Sequence, residues 1–339
     1  MPVITPSPSG ATPARAPVLP EGLRSLAAST LWAAVDLSVA DGGRWTVGRF
    51  DGARTILLFS ETEAEVRVDF DRVVISRRAE ETWVLATADP GTGKITELYR
   101  TDRFPSAIPA ATMDRAGSVL FFSGLRIGPG EPIGLYRFDL ATGDVTELLK
   151  GEGDGGRSML DWSPSGQTLA WSVCGQETCD VDVVDAESGA ARRVSHFVLQ
   201  ATSDRYLLGY PDRSDLRWHL YDLRTDRRQV IAEDYIAAAY DGYAIDDAGF
   251  LMYGLDRYGD PDRPATALQF VVHDTATGAD RLVLRLEDAS RRLYRFWRSD
   301  RWAVLGGSGG LSGAVTNGES FDVLDLSGGT VLEGALPTR

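Results

Sequence analysis

The sequence predicts an all-β fold, a β-propeller, and three observations lead there. A tight turn recurs in one setting: Gly91-Thr-Gly-Lys94, Ala141-Thr-Gly-Asp144, Glu187-Ser-Gly-Ala190, Ala276-Thr-Gly-Ala279 and Leu326-Ser-Gly-Gly329 each follow one apolar run and precede another. The turn glycines at 93, 143, 189, 278 and 328 stand 50, 46, 89 and 50 residues apart, and the widest gap holds a glycine-free copy, Arg224-Thr-Asp-Arg227. The runs between turns are four to seven residues of β-branched, aromatic and leucine side chains, a pattern that suits strands and not helices. A period in the forties made of short strands is how propeller blades repeat along a chain.

Residues 1–21 are rich in Pro, Ser, Thr and Ala, with Pro13, Pro17 and Pro20 near their end. Such a stretch cannot bury a core and predicts a disordered tether. Residues 22–337 read as a single propeller domain of seven four-stranded blades. Blade one spans 22–60, with 44–50 and 55–59 as its outer pair; its inner strands are the least legible, so six blades behind an N-terminal extension is the alternative. Blades two to seven span 61–100, 101–150, 151–195, 196–232, 233–287 and 288–337. A second turn lies upstream of the first. Its clearest copy is Leu160-Asp-Trp-Ser-Pro-Ser-Gly-Gln-Thr-Leu-Ala-Trp-Ser172, with weaker copies at 112–117 and 245–249, while Ser203-Asp-Arg205 and Ser299-Asp-Arg301 hold the same place without glycine. Gly, Pro, Ser and Asp at these points supply a left-handed residue or cap the turn. Asp139, Asp185, Asp222, Asp274 and Asp325 precede the downstream turn, where each carboxylate can accept from the turn's N–H groups. Spread around the wheel, they cannot converge on one substrate.

Trp162-Ser-Pro-Ser-Gly-Gln-Thr-Leu-Ala-Trp171, with Leu135-Tyr-Arg-Phe-Asp-Leu-Ala-Thr-Gly-Asp144 before it, resembles the WD40-like repeat of TolB-type β-propellers. The resemblance implies that the first segment is the a–b turn, and the second the c–d turn, of a four-stranded blade. It is sharp over 135–190 and departs from the pattern at 203–205 and 299–301. It brings no catalytic residues with it, so it speaks to fold far more than to function.

The net charge of −14 argues against nucleic acid as a partner, because phosphate binding needs a basic face. No apolar stretch approaches the ~18–20 residues of a membrane span. The most apolar N-terminal piece, 31–40, is broken by Asp36 and follows no basic region, so it does not read as a signal peptide. Cys174 and Cys179 stand at the end of one strand and the start of the next, with Gly-Gln-Glu-Thr between them. A disulfide there would staple a hairpin and place the protein outside the cytoplasm, in a periplasm or on a cell surface. The tether would then separate an anchor before it from the folded head. Two buried free thiols are the alternative; a metal site would need further ligands, and no His lies nearby.

In a blade of strands a to d, the a–b and c–d turns share one face, and the b–c and d–a connections share the other. The first class is short and repetitive here. The b–c connections at 125–132, 174–179, 211–215, 255–265 and 306–318 are long and individual, and so is the d–a connection at 151–157. Variable loops on a rigid scaffold are where binding resides. The candidates on that face are Asp154 and Arg157, then Asp256, Tyr258, Asp260, Asp262 and Arg263. The three aspartates of the second group could hold Ca²⁺, although Arg257 and Arg263 beside them fit a solvated loop better. Tyr258 and Arg263 are of the types that dominate binding hot spots.

Other motifs carry no chemistry. Gly306-Gly-Ser-Gly-Gly310 has the letters of a nucleophile elbow, but no helix and no histidine follow Ser308. His196, His219 and His273 fall in different blades without metal-ligand spacing and read as packed or surface histidines. The run Arg291–Arg298 alternates in a way that divides its aromatics between two neighbouring blades. The expectation is therefore a non-enzymatic, extracytoplasmic binding or scaffolding propeller. Its long-loop face would take a protein, peptide or glycan. The alternatives are a propeller hydrolase or lyase acting at the channel mouth, and a regulatory propeller gating a peptidase on another chain.

Overall fold

A computed structural model describes residues 31–36, 44–50, 55–62, 64–70, 72–102, 110–124, 133–151, 158–175, 179–211, 215–236, 240–244, 249–255, 267–286, 292–293, 302–306, 320–325 and 329–337. Among these residues there is no helix. The described strands form seven antiparallel sheets, each from one contiguous piece of chain. Sheet one holds β1 (Leu31–Asp36), β2 (Arg44–Phe50) and β3 (Thr55–Thr62). Sheet two holds β4 (Ala64–Asp69), β5 (Arg72–Ala79), β6 (Thr82–Ala88) and β7 (Ile95–Thr101). Sheet three holds β8 (Ala110–Met113), β9 (Val119–Gly124), β10 (Ile133–Asp139) and β11 (Val145–Gly151). Sheet four holds β12 (Ser158–Trp162), β13 (Thr168–Cys174), β14 (Cys179–Asp185) and β15 (Ala191–Val194). Sheet five holds β16 (Val198–Thr202), β17 (Tyr206–Tyr210), β18 (Arg217–Asp222) and β19 (Arg227–Ile236). Sheet six holds β20 (Tyr240–Ala244), β21 (Gly249–Leu255), β22 (Leu268–Asp274) and β23 (Ala279–Leu286). Sheet seven holds β24 (Arg292–Leu293), β25 (Trp302–Gly306), β26 (Ser320–Asp325) and β27 (Thr330–Pro337). The tether of residues 1–21 lies outside the described residues.

The first strands of successive sheets lie against one another: β4 against β8, β8 against β12, β12 against β16 and β16 against β20. This places the first strand of each sheet at the axis and the last at the rim. The core lies between sheets, and that explains why the inner strands are apolar without alternation. In β9, Leu120 and Phe122 pack on sheet two with Trp83 and Leu85. Val119 and Phe121 of the same strand pack on sheet four with Trp162 and Trp171. In β13, Leu169 and Trp171 face sheet three, while Ala170 joins Phe197, just before sheet five, and Leu207 and Tyr221 of that sheet. Trp218 and Leu220 of β18 meet Phe250 and Met252 of sheet six. A strand buried on both faces has no polar side to show in sequence.

The recurring turn is the c–d turn, as the resemblance implies. The N–H of Gly143 donates to the Asp139 carbonyl at 2.8 Å, and the N–H groups of Ala141 and Thr142 donate to Asp139 Oδ1. Asp185, Asp222 and Asp274 accept in the same way. These hydrogen bonds hold the carboxyls of Asp139, Asp185 and Asp274 below the ordinary value. Arg205 strengthens the effect at Asp222, pulling it down to about 2. Asp89 belongs to the set as well, accepting from Gly91, Thr92 and Gly93. The glycine-free copy puts Asp226 in the left-handed region, with φ 60°. In the last turn the left-handed residue is Gly329, φ 65°, one place later than the glycine chosen from the spacing. Counted from Asp325, Gly329 holds the place that Gly143 holds from Asp139.

Candidate functional site

The face carrying the b–c and d–a connections is described best between sheets four and five. Cys174 and Cys179 are register partners on β13 and β14, and a disulfide joins them. The stapled hairpin anchors the d–a link 195–197. Phe197 N–H donates to the Cys179 carbonyl at 2.8 Å, and His196 N–H donates to Asp180 Oδ1 at 3.2 Å. His196 is exposed and sits in the left-handed region, with φ 55°. Phe197 is fully buried in the seam. Its ring needs Gly209 opposite, where a Cβ would lie 2.8 Å from Phe197 Cε1.

Beside this seam, at the start of β18, Asp215 collects three donors. Arg217 Nε and Nη2 reach its two oxygens at 2.8 and 2.7 Å, a bidentate pair. His219 Nε2 lies 3.1 Å from Oδ2. The Arg217 hydrogen bonds first, and His219 after them, hold the Asp215 carboxyl well below the usual carboxylate range against the opposing pull of burial. An ionised carboxylate only accepts, so Nε2 carries the hydrogen. Nδ1 of His219 is then left buried without a partner among the described residues. The side chain faces sheet four, since Trp218 and Leu220 on either side of it face sheet six.

A second polar group sits at the axis, toward the short-turn end. Arg67 on β4 pairs with Asp69 and donates across to the Leu160 carbonyl of β12. Its Nη2 lies 3.7 Å from Asp161 Oδ1. Thr112 of β8 donates to Asp69 Oδ2 at 2.8 Å and accepts from Trp162 Nε1 at 2.8 Å. Three successive sheets are thereby sewn together at their inner strands. Two residues before Arg67, Glu65 is exposed, yet burial pushes its carboxyl up and Arg67 only partly offsets this.

Asp154, Arg157, Asp256, Tyr258, Asp260, Asp262 and Arg263 lie outside the described residues. Their places in the chain are the β11–β12 and β21–β22 connections. One b–c connection breaks the expected rule: sheet two turns through Glu80 and Glu81 alone, with Ala79 paired to Thr82. Of the three histidines, His219 and His273 are packed and His196 is exposed. Among the described residues no three His, Cys, Asp or Glu side chains are grouped to hold a metal ion. Neither the Asp215 group nor the Arg67 group was legible in the sequence. Arg67 and Asp161 are far apart along the chain and meet because the inner strands β4, β8 and β12 of successive sheets lie side by side.

No family model and no curated protein matches the chain. Solved structures do. The β-propeller domain of the Trilobed protease from Pyrococcus furiosus superposes with a TM-score of 0.55 at 12% identity, over 87% of this chain and 91% of that one. An oligogalacturonate lyase in complex with manganese gives 0.54 at 13% identity, over 91% of this chain and 85% of that one. TolB from Acinetobacter baumannii gives 0.48 at 12% identity, over 79% of this chain, which spans 66% of the TolB chain. The fold is that of a β-propeller, on the strength of the first two superpositions; identities this low speak to fold alone.

Proposed function

We propose that the protein is a non-enzymatic binding or scaffolding propeller, working outside the cytoplasm, whose protein, peptide or glycan partner docks on the long-loop face. One observation carries the reading: the two faces differ in kind. The short-turn face repeats one hydrogen-bonded turn from sheet to sheet, each with its aspartate already engaged. The opposite face carries a disulfide-stapled hairpin with an ordered link and an Arg–Asp–His group beside it. The disulfide also supports an oxidising compartment. A photocrosslinking residue replacing Glu177, in the stapled connection, captures the partner in the native host, while the same residue replacing Thr142, in a c–d turn, does not. Equal capture from both positions sinks the assignment of the face.

A hydrolase or lyase is the second reading, favoured by His219. An imidazole oriented by a carboxylate through one nitrogen is how a general base is held; Nδ1 of His219 is buried, so this reading requires it to be uncovered when a substrate binds. Turnover of a polyuronate or peptide substrate that falls at least 100-fold in His219→Gln, with the disulfide intact, would establish this reading over the first.

A further inference from the structure

Sheets two to seven each hold four described strands, and sheet one holds three. The place left open is that of the inner strand. β2 and β3 pair with a register shift between Val47 and Gly48. The third and fourth strands of sheets two, three, five, six and seven pair with such a shift as well. The second and third strands of sheets two to seven pair without one, and so do β1 and β2. A Cβ on Gly93, in the c–d turn of sheet two, would lie 2.8 Å from the Leu58 carbonyl of β3. In the same way, a Cβ on Gly329, in the c–d turn of sheet seven, would lie 2.2 Å from the Val283 carbonyl of β23, the rim strand of sheet six. β3 thus holds the rim place of sheet one. β1 and β2 both lie against β4, as β13 and β14 both lie against β16. Glu63 alone separates β3 from β4, so β3 ends on the face where β4 begins, as a d strand does and a c strand does not. β1, β2 and β3 are therefore strands b, c and d, and the place of strand a, beside β1 at the axis, is open among the described residues.

We infer that the inner edge of β1 is a strand-binding site and that its occupant is this chain's own segment 22–28, which completes sheet one at the axis. An open edge offers a row of N–H and C=O groups to an added strand. In sheets two to seven strand a comes from the chain just before strand b, across a link of two residues (β4 to β5) to eight (β24 to β25). A strand ending at residue 28 reaches β1 through Ser29 and Thr30, a two-residue link like Phe70 and Asp71. The segment Gly22-Leu-Arg-Ser-Leu-Ala-Ala28 holds no proline, and Pro20 is the last one before β1; a proline would interrupt the ladder. Its Ala27-Ala28 repeats the Ala110-Ala111 of β8, an inner strand buried along its whole length. Tied to β1 by so short a link, the segment has a far higher effective concentration at the edge than a strand from a second molecule. Strand a of sheets two to seven runs from the long-loop face to the a–b turn. The occupant therefore starts on the long-loop face, and the tether of residues 1–21 leaves the wheel from the axis at that end. Tether and proposed docking face then lie together, although the strand assignment does not depend on that reading of the face.

The test uses the full chain with its disulfide intact. Successive residues of an antiparallel strand point their N–H groups to one neighbour and then to the other, so an empty inner edge leaves every second amide of β1 open to water. Hydrogen exchange resolved by residue is expected to find amides 32–35 equally protected. Leu26→Pro with Ala27→Pro removes a ladder donor whichever of the two faces β1. This double variant is expected to speed every second amide of β1 by about ten-fold or more, while β13 stays protected. A labelled peptide with the sequence of residues 21–30 then binds the double variant and not the unaltered chain, as read by fluorescence anisotropy. A photocrosslinking residue replacing Pro20 attaches to residues 63–65, at the start of β4, and not to residues 70–72, past its end. Alternating protection in the unaltered chain overturns the inference, because the edge is then empty. Protection that fades on dilution overturns it in favour of a second copy. Equal peptide binding by the two chains, or crosslinks confined to residues 70–72, overturn it as well. Should the double variant not fold, the exchange pattern of the unaltered chain and the crosslink from position 20 still decide.

Discussion

Arg67 reaches from β4 to β12, and its value lies in what it neutralises. Asp69 and Asp161 are mostly buried and both look to it. Removing one partner from such a group leaves charge without compensation, so Arg67→Met is expected to cost about 3–5 kcal/mol in a denaturant titration. Replacing Thr112 with Val strands the Trp162 indole N–H and takes one donor from Asp69, at a cost of about 1–3 kcal/mol. Glu65 has the opposite sign. Its folded pKa is raised, so its contribution favours the fold when protonated and is lost as pH rises through the folded value. Glu65→Gln therefore raises Tm at pH 7 and leaves it unchanged below about pH 4; a gain of equal size at both pH values would contradict the upward shift of that carboxyl. The turn aspartates are depressed instead. Their stabilisation is present above the unfolded value near 3.8 and lost as pH falls, through about 2 for Asp222. Asp222→Asn should accordingly narrow the gap in Tm between pH 7 and pH 2.

The c–d turn shows how much of an element its sequence can carry. A left-handed residue four places after an aspartate selects Gly, and where Gly is absent Asp226 serves, because Asn and Asp tolerate that region best among the rest. The backbone demand is local, so the repeat is legible. Two details slipped for reasons equally local: Pro90 after Asp89 disguised the first copy, and adjacent glycines at 328 and 329 hid which one turns left. What a turn packs against is not local. A Cβ at Gly143 would meet open space, whereas at Gly93 it would lie 2.8 Å from the Leu58 carbonyl on β3. Gly143→Ala is expected to cost about 1–2 kcal/mol from backbone strain alone, and Gly93→Ala measurably more, by thermal unfolding of the two variants. Equal losses would mean that sheets one and two do not meet as described. The disulfide is likewise an element-scale device. The bridge spans a separation of five residues, so replacing both cysteines by serine should cost on the order of 2 kcal/mol in the loop-entropy account.

Across the whole molecule, side-to-side packing holds the described sheets together, since each of them takes its described strands from one contiguous stretch of chain. Native-state hydrogen exchange should therefore find β1–β3 and β25–β27 opening before β9, β13 and β17, which are packed on both faces; uniform protection around the ring would show that something else clasps its ends. The ring could be read from the sequence because its unit repeats. The meeting of Arg67 with Asp161 could not, because convergence across sheets leaves no periodic trace; His219 and Asp215 are only four residues apart, but nothing in that spacing says that the chain just before β18 turns the carboxylate back onto the ring. The contiguity of each sheet also bears on how the protein is made. Once the last strand of a sheet has left the ribosome, that sheet has all its partners and can settle on the one before it, without waiting for the C-terminus. A nascent chain long enough to expose residue 194 should already bury Trp162 and Trp171, so synthesis builds the wheel one blade at a time and never leaves a long unpaired stretch open to aggregation.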